Sequence, residues 1–243
     1  MKPGIYVCIA SILLVGAISC AATAGIIFDD PLDGSTLGTA SGVQWGSGVS
    51  GQAAVFTAGN SYIGYDGGYF PAQGTMSFFL KAAGSGERSV LDTVGKGNAE
   101  AGDIALLLAP GNTLTFYGRG ASDWHVLSGT KVLGSSSWAY VAISYGPTFG
   151  MNLYVNGVAD GTFSASGNML AGRNAADIFL GDYPLDGGSY YLAVPGSIDM
   201  FRASTTERDI NLLTAPAVPE PTSLVALAGG LICSIGAFRR KRS

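Results

Sequence analysis

The sequence predicts an all-β domain of two packed antiparallel sheets, and three observations lead there. Between residues 26 and 201, short runs rich in Val, Ile, Tyr, Phe and Thr alternate with clusters of Gly, Ser, Asn and Asp, as in a sandwich or barrel rather than in βαβ units. A dozen such runs fall in this one stretch, and that many strands in one domain imply two sheets. Asn156-Gly157, set between alternating runs, is a type I′ hairpin signal.

Taken in order, residues 1–24 form a secretory signal: Lys2 precedes an apolar run over 5–18, and Ala22-Thr23-Ala24 offers small residues for cleavage before Gly25. Cys20 raises a lipoprotein alternative, but Ala17-Ile18-Ser19 is a poor lipobox. The predicted strands cover 26–29, 53–57, 62–65, 75–81, 89–93, 104–108, 113–117, 124–127, 138–145, 152–155, 178–180 and 197–202. In the ninth, Trp138, Tyr140, Ala142 and Ser144 share one face and Ala139, Val141, Ile143 and Tyr145 the other. Leu153 and Val155 share a face of the next, and the Asn156-Gly157 turn then feeds a return strand over 158–163. Ser204 and Glu207 read as a capping box for a short helix with an Ile210/Leu213 apolar stripe, closing a domain over 25–213. The Pro-rich stretch 214–221 is a linker.

The last segments differ in kind. Residues 222–238 are 17 uncharged, mostly apolar residues, which as a helix span about 26 Å, enough to just cross a bilayer. The basic tail 239–243 follows, and Arg239, Arg240, Lys241 and Arg242 would hold that end on the cytoplasmic side, leaving the domain outside. Pro219-Glu220-Pro221, the apolar run and the Arg-rich end, in that order, resemble the PEP-CTERM sorting signal of Gram-negative bacteria. The resemblance implies recognition by an exosortase, processing near the motif, transient membrane anchoring, and delivery to the cell surface or an extracellular polysaccharide matrix.

Composition restricts the partners. Cys8 and Cys20 fall in the signal and Cys233 in the apolar tail, so the domain itself has no disulfide and no thiolate metal site. Lys2 and the four terminal cations lie outside 25–218, leaving eight of 13 Lys and Arg, whereas only Glu220 of 17 acids is lost. A domain with 16 acids and eight bases, at about −8, is a poor partner for nucleic acid or anionic lipid and is compatible with cations or neutral glycans.

A second resemblance rests on ordered pieces: Trp138-x-Tyr-Val-Ala-Ile, Leu153-Tyr-Val-Asn-Gly, Ile178-Phe-Leu-Gly, and Gly196-Ser-Ile-Asp before Phe201. With Phe28-Asp29, Gly51-Gln-Ala-Ala-Val-Phe and Gly74-Thr-Met-Ser-Phe-Phe-Leu-Lys upstream, the domain is similar to the laminin-G-like jelly roll of the concanavalin A-like superfamily. Phe79 departs from it, because this family often carries Trp there.

Chemistry is sparse. A glycosidase needs two carboxylates, about 5–5.5 Å apart for retention. Glu87, Glu100 and Glu207 are not set in a paired arrangement, and Asp29 and Asp30 would point to opposite faces of a strand. His125 is the single histidine; beside Trp124 and Asp123 it suits a sugar-binding or general-base role as well as an ordinary strand position. No activated serine turn exists. Asp182 and Asp186 bracket a loop that could offer calcium two carboxylates and several carbonyls, and the laminin-G resemblance implies such a rim site. Tyr117, Trp124, Tyr183, Tyr190 and Tyr191 are candidate aromatics for stacking on sugars or, alternatively, packing positions. The expectation is a surface-sorted, non-enzymatic domain binding an extracellular polysaccharide or surface protein, with a purely structural matrix component and a divergent glycosidase or lyase as rivals.

Overall fold

A computed structural model describes residues 26–57, 61–65, 73–84, 86–93, 102–120, 123–163, 177–181, 192–193 and 196–216. In chain order the strands begin with β1 (Ile26–Asp30), β2 (Thr39–Ser41), β3 (Val43–Ser47), β4 (Gln52–Phe56), β5 (Tyr62–Tyr65), β6 (Gly74–Ala82), β7 (Arg88–Asp92) and β8 (Ile104–Leu108). They continue with β9 (Leu114–Arg119), β10 (Trp124–Ser128), β11 (Ala139–Tyr145), β12 (Met151–Val155), β13 (Val158–Phe163), β14 (Ile178–Gly181), β15 (Leu192–Ala193) and β16 (Gly196–Ser204). One short helix, α1 (Ile210–Leu213), follows. Every predicted run is a strand, and β2, β3 and β15 are additional.

The strands form two sheets. The first runs β13-β12-β11-β6-β16-β4-β3 with β1 also on β16; the second runs β10-β9-β8-β7-β14-β5-β2, and β15 joins β7 as the one parallel pair among the described residues. Strands β6 and β11 sit mid-sheet and are buried on both faces, which accounts for their near-continuous apolar sequence. The alternation read for β11 holds: Ala139, Val141, Ile143 and Tyr145 enter the core between the sheets, while Tyr140 and Ala142 join a second cluster on the far side. At the β12–β13 turn, Asn156 and Gly157 both have positive φ, 54° and 75°, as a type I′ turn requires.

The centre of the core is aromatic. Phe201 lies 5.3 Å from Tyr65 in a stacked arrangement, 5.4 Å from Phe28 and 6.4 Å from Phe78, so a β16 ring contacts both sheets. The Tyr65 hydroxyl donates to Asp30 Oδ2 at 3.1 Å, and burial together with the Asp30 charge pushes its pKa well up, keeping it a donor. Asp30 also accepts from Leu32 N, Thr36 Oγ1 and Leu37 N, tying the 31–37 loop to the core edge.

The outer face of the first sheet is covered by α1. Leu213 packs with Phe79, Tyr140 and Tyr154, joined by Trp138 and Ala215, and Tyr140 donates its hydroxyl to Leu212 O at 2.8 Å. The expected capping box is corrected here. Strand β16 continues through Ser204, so the helix starts later, with Asp209 at its N-cap accepting from Asn211 N at 3.0 Å. Ser204 instead donates to Asp209 Oδ2, and Glu207 accepts from the Thr148 and Phe149 N–H groups of the β11–β12 turn. The apolar stripe is Leu212 and Leu213, and Ile210 is 69% exposed.

Two strands share the other edge of β16: β4 pairs with Gly196–Ile198 and β1 with the residues from Phe201 on. Asp199 falls at that junction, beside a β-bulge and Met200 at φ 54°. Its Oδ2 accepts from Val49 N at 2.7 Å and Ser50 N at 3.4 Å, Oδ1 is buried without a hydrogen bond, and burial raises its pKa despite those donors. A carboxylate whose folded pKa is raised adds stability below its unfolded value and loses that contribution as pH rises through the folded one. The stability of the wild type relative to Asp199→Asn should therefore increase as pH is lowered toward the carboxylate range. Paired melts across that range check it, and a flat or inverted difference would contradict the burial argument.

Among the described residues no helix is long and apolar enough to cross a membrane. The segment 222–238 lies outside them, as do Pro219, Glu220, Pro221, Arg239, Arg240, Lys241 and Arg242.

Candidate ligand-binding face

The second sheet has one face in the core and one turned away from the first sheet. Ile104, Leu106 and Leu108 of β8, Leu114 and Phe116 of β9, and Leu127 of β10 point inward. Strand alternation then turns Ala105 and Leu107, Thr115, Tyr117 and Arg119, and Trp124, Val126 and Ser128 outward. The register fixes their neighbours: Trp124 lies opposite Arg119, Val126 opposite Tyr117 and Ser128 opposite Thr115. One continuous row crosses the sheet through Thr39, Gly64, Phe179, Asp92, Ala105, Tyr117 and Val126.

This row explains a glycine. Phe179 lies across its partner position, and a Cβ on Gly64 would sit 2.9 Å from the Phe179 ring, so a larger residue at 64 would displace it. Tyr62 meets the same ring edge-on at 6.1 Å.

At the β9–β10 end three side chains converge. The Tyr117 and Trp124 rings are 6.3 Å apart and almost perpendicular, and the Arg119 guanidinium lies 5.6 Å from the Trp124 centroid, a cation–π contact. All three are half-buried, and Val126 beside them is 46% exposed. Burial, and secondarily the Glu87 charge, raises the Tyr117 pKa, so its phenol stays neutral and can both donate and accept. Flat rings on ordered strands, with a guanidinium and a phenol at their margin, suit a ligand that has an apolar face edged by hydroxyls.

Tyr117 and Trp124 were legible as candidates, and the fold brings them together. Arg119 was not, because only the β9–β10 register places it opposite Trp124; its spacing of two from Tyr117 was the available signal. His125 faces the other way: its ring lies 5.5 Å from Phe163 of β13 and fills the space a Cβ on Gly120 would need. Tyr183, Tyr190, Tyr191, Asp182 and Asp186 lie outside the described residues. Among the described residues no three His, Cys, Asp or Glu side chains converge as a metal site.

Comparison with known proteins places this architecture. No curated protein matches the chain by sequence. Among solved structures, the chain is similar to the CBM40 of the Ruminococcus gnavus IT-sialidase bound to α2,3-sialyllactose, with TM-score 0.54 and 16% identity over 66% of this chain and 94% of that one. It is similar to domain 4 of AbnA, a GH43 extracellular arabinanase from Geobacillus stearothermophilus in complex with arabinotriose, with TM-score 0.55 and 19% identity over 77% and 85%. The binding domain of botulinum neurotoxin DC in complex with SialylT gives TM-score 0.57 and 12% identity over 79% of this chain and 51% of that one. At these identities the likeness establishes a shared fold. The PEP-CTERM protein-sorting motif matches residues 217–242, over the Pro-Glu-Pro, apolar and basic segments. The family model for the concanavalin A-like lectin/glucanases superfamily matches residues 57–209, from the end of β4 to the helix cap, and the chain belongs to that superfamily.

Proposed function

We propose that this chain is a non-catalytic glycan-binding protein of the cell surface or extracellular matrix, and that its ligand seat is the Tyr117–Val126 end of the outer face of β9 and β10, since the outward residues of β8, Ala105 and Leu107, are buried. The observation that carries the reading is the Tyr117–Trp124–Arg119 cluster, held by cross-strand pairing and partly exposed beside Val126, which is 46% exposed. The similarity to solved domains in complex with sialyllactose and arabinotriose supports it. In the same proposal an exosortase recognises Pro219-Glu220-Pro221, residues 222–238 anchor the chain transiently, and Arg239, Arg240, Lys241 and Arg242 stop transfer.

Tether and ligand then use opposite sides. The last described residues run over the outer face of the first sheet, where Leu213 O and Ala215 N lie 3.7 Å from the position of a Cβ on Gly157. The described residues thus end, at Pro216, on the sheet that does not carry the cluster.

A glycan array probed with the full chain in detergent tests the reading. Binding to at least one glycan should weaken about tenfold or more on Trp124→Ala, since an aromatic contact is worth on the order of 1 kcal/mol beyond its buried area and the lost area adds to this. An array without signal, or signal indifferent to Trp124 and Tyr117 substitutions, would contradict it.

A further inference from the structure

We infer that the ligand of this face is an uncharged glycan, held by ring stacking and hydroxyl hydrogen bonds, and not a carboxylated sugar; the inference rests on the glycan-binding reading above. Recognition of a sugar carboxylate calls for a cation with donors directed at it. Arg119 is the cation that the described residues place on this face; its guanidinium lies over the Trp124 ring, and its single charge is offset by the acids nearby. The other described cations are engaged elsewhere. Arg88 is buried and donates to Gly86 O, Ala83 O and Asn112 Oδ1, and Lys131 donates to Val155 O and Val158 O. Arg202 pairs with Asp29, Arg208 lies over Phe149, and Lys81 is on β6 of the opposite sheet. Lys96 and Arg173 lie outside the described residues.

Negative charge surrounds the cluster instead. Asp92 stands two strands from Tyr117 in the same cross-sheet row, and the Glu87 carboxylate is close enough to raise the Tyr117 pKa. The whole domain carries about −8, with 16 acids against eight bases over 25–218. An approaching carboxylate meets this field both at long range and at the site. A neutral pyranose or furanose does not: its C–H face stacks on Trp124, and its hydroxyls accept from the guanidinium edge and exchange hydrogen bonds with the phenol.

The test is migration of the full chain in detergent through native gels cast with arabinan, galactan or a β-glucan, compared with polygalacturonate, alginate or polysialic acid. The expected result is retardation in a neutral gel, insensitive to salt, lost in Trp124→Ala, weakened about tenfold in Arg119→Gln as a charge-assisted hydrogen bond is removed, and unchanged in Glu87→Gln. Retardation in the acidic gels, screened by salt, reduced in Arg119→Gln and increased in Glu87→Gln, would overturn the neutral class while leaving the glycan-binding face intact. Retardation in none of them would tell against the glycan-binding reading itself.

Discussion

Replacing Phe201 by alanine should lower the stability of the domain by about 3–5 kcal/mol, the range for removing a buried phenylalanine. Phe201 is fully buried and meets Phe28, Tyr65 and Phe78, so its loss opens a cavity where β1, β5, β6 and β16 come together. That cavity cannot easily collapse. Asp30 pins the Tyr65 hydroxyl, and β16 is held by β6 along one edge and by β4 and β1 along the other. For a fold with a typical stability of about 5–15 kcal/mol, this loss is a large fraction. Urea unfolding of Phe201→Ala beside Phe149→Ala, whose ring is 46% exposed, provides the comparison. Similar midpoints for the two variants would mean that the aromatic centre does not hold the sheets together.

The second large effect concerns where the domain stops. A chain ending at Pro216 should melt as the full chain does, whereas one ending at Asp209 should lose about 3–6 kcal/mol, the sum expected for two buried leucines. Leu212 and Leu213 are buried, and Leu213 covers Phe79, Tyr140 and Tyr154. Removing α1 also strips the Tyr140 hydroxyl of its acceptor, Leu212 O, adding the cost of a polar group left without its partner. Thermal melts of the two truncations separate the outcomes. If both behaved like the full chain, α1 would be an appendage and the outer face of the first sheet would be stable bare.

Much of this fold was legible because its signals are local. Alternation in β11 assigned Ala139, Val141, Ile143 and Tyr145 to the core and Tyr140 and Ala142 to the opposite face, and Asn156-Gly157 announced its hairpin. The strands that escaped notice lack such signals. Strand β2 is three exposed residues at the end of its sheet, β3 is an edge strand containing Gly46, and β15 is two residues long. The helix cap was misplaced because Ser204 and Glu207 have the right spacing for a capping box, but sheet pairing keeps Ser204 in β16. The candidate site was half legible for a related reason. Tyr117 and Trp124 are recognisable as residue types, but Arg119 joins them only through the β9–β10 register, and opposite strand positions are a property of pairing, not of local sequence.

Hydrogen exchange of the full chain with and without a bound polysaccharide tests the central claim most directly. Amides of β9 and β10, together with those of β8 beside them, should gain protection on binding, and α1 and the β12–β13 hairpin on the opposite sheet should not change. Protection confined to α1 and the outer face of the first sheet, with β9 and β10 unaffected, would place the ligand on the wrong side of the sandwich and contradict the account.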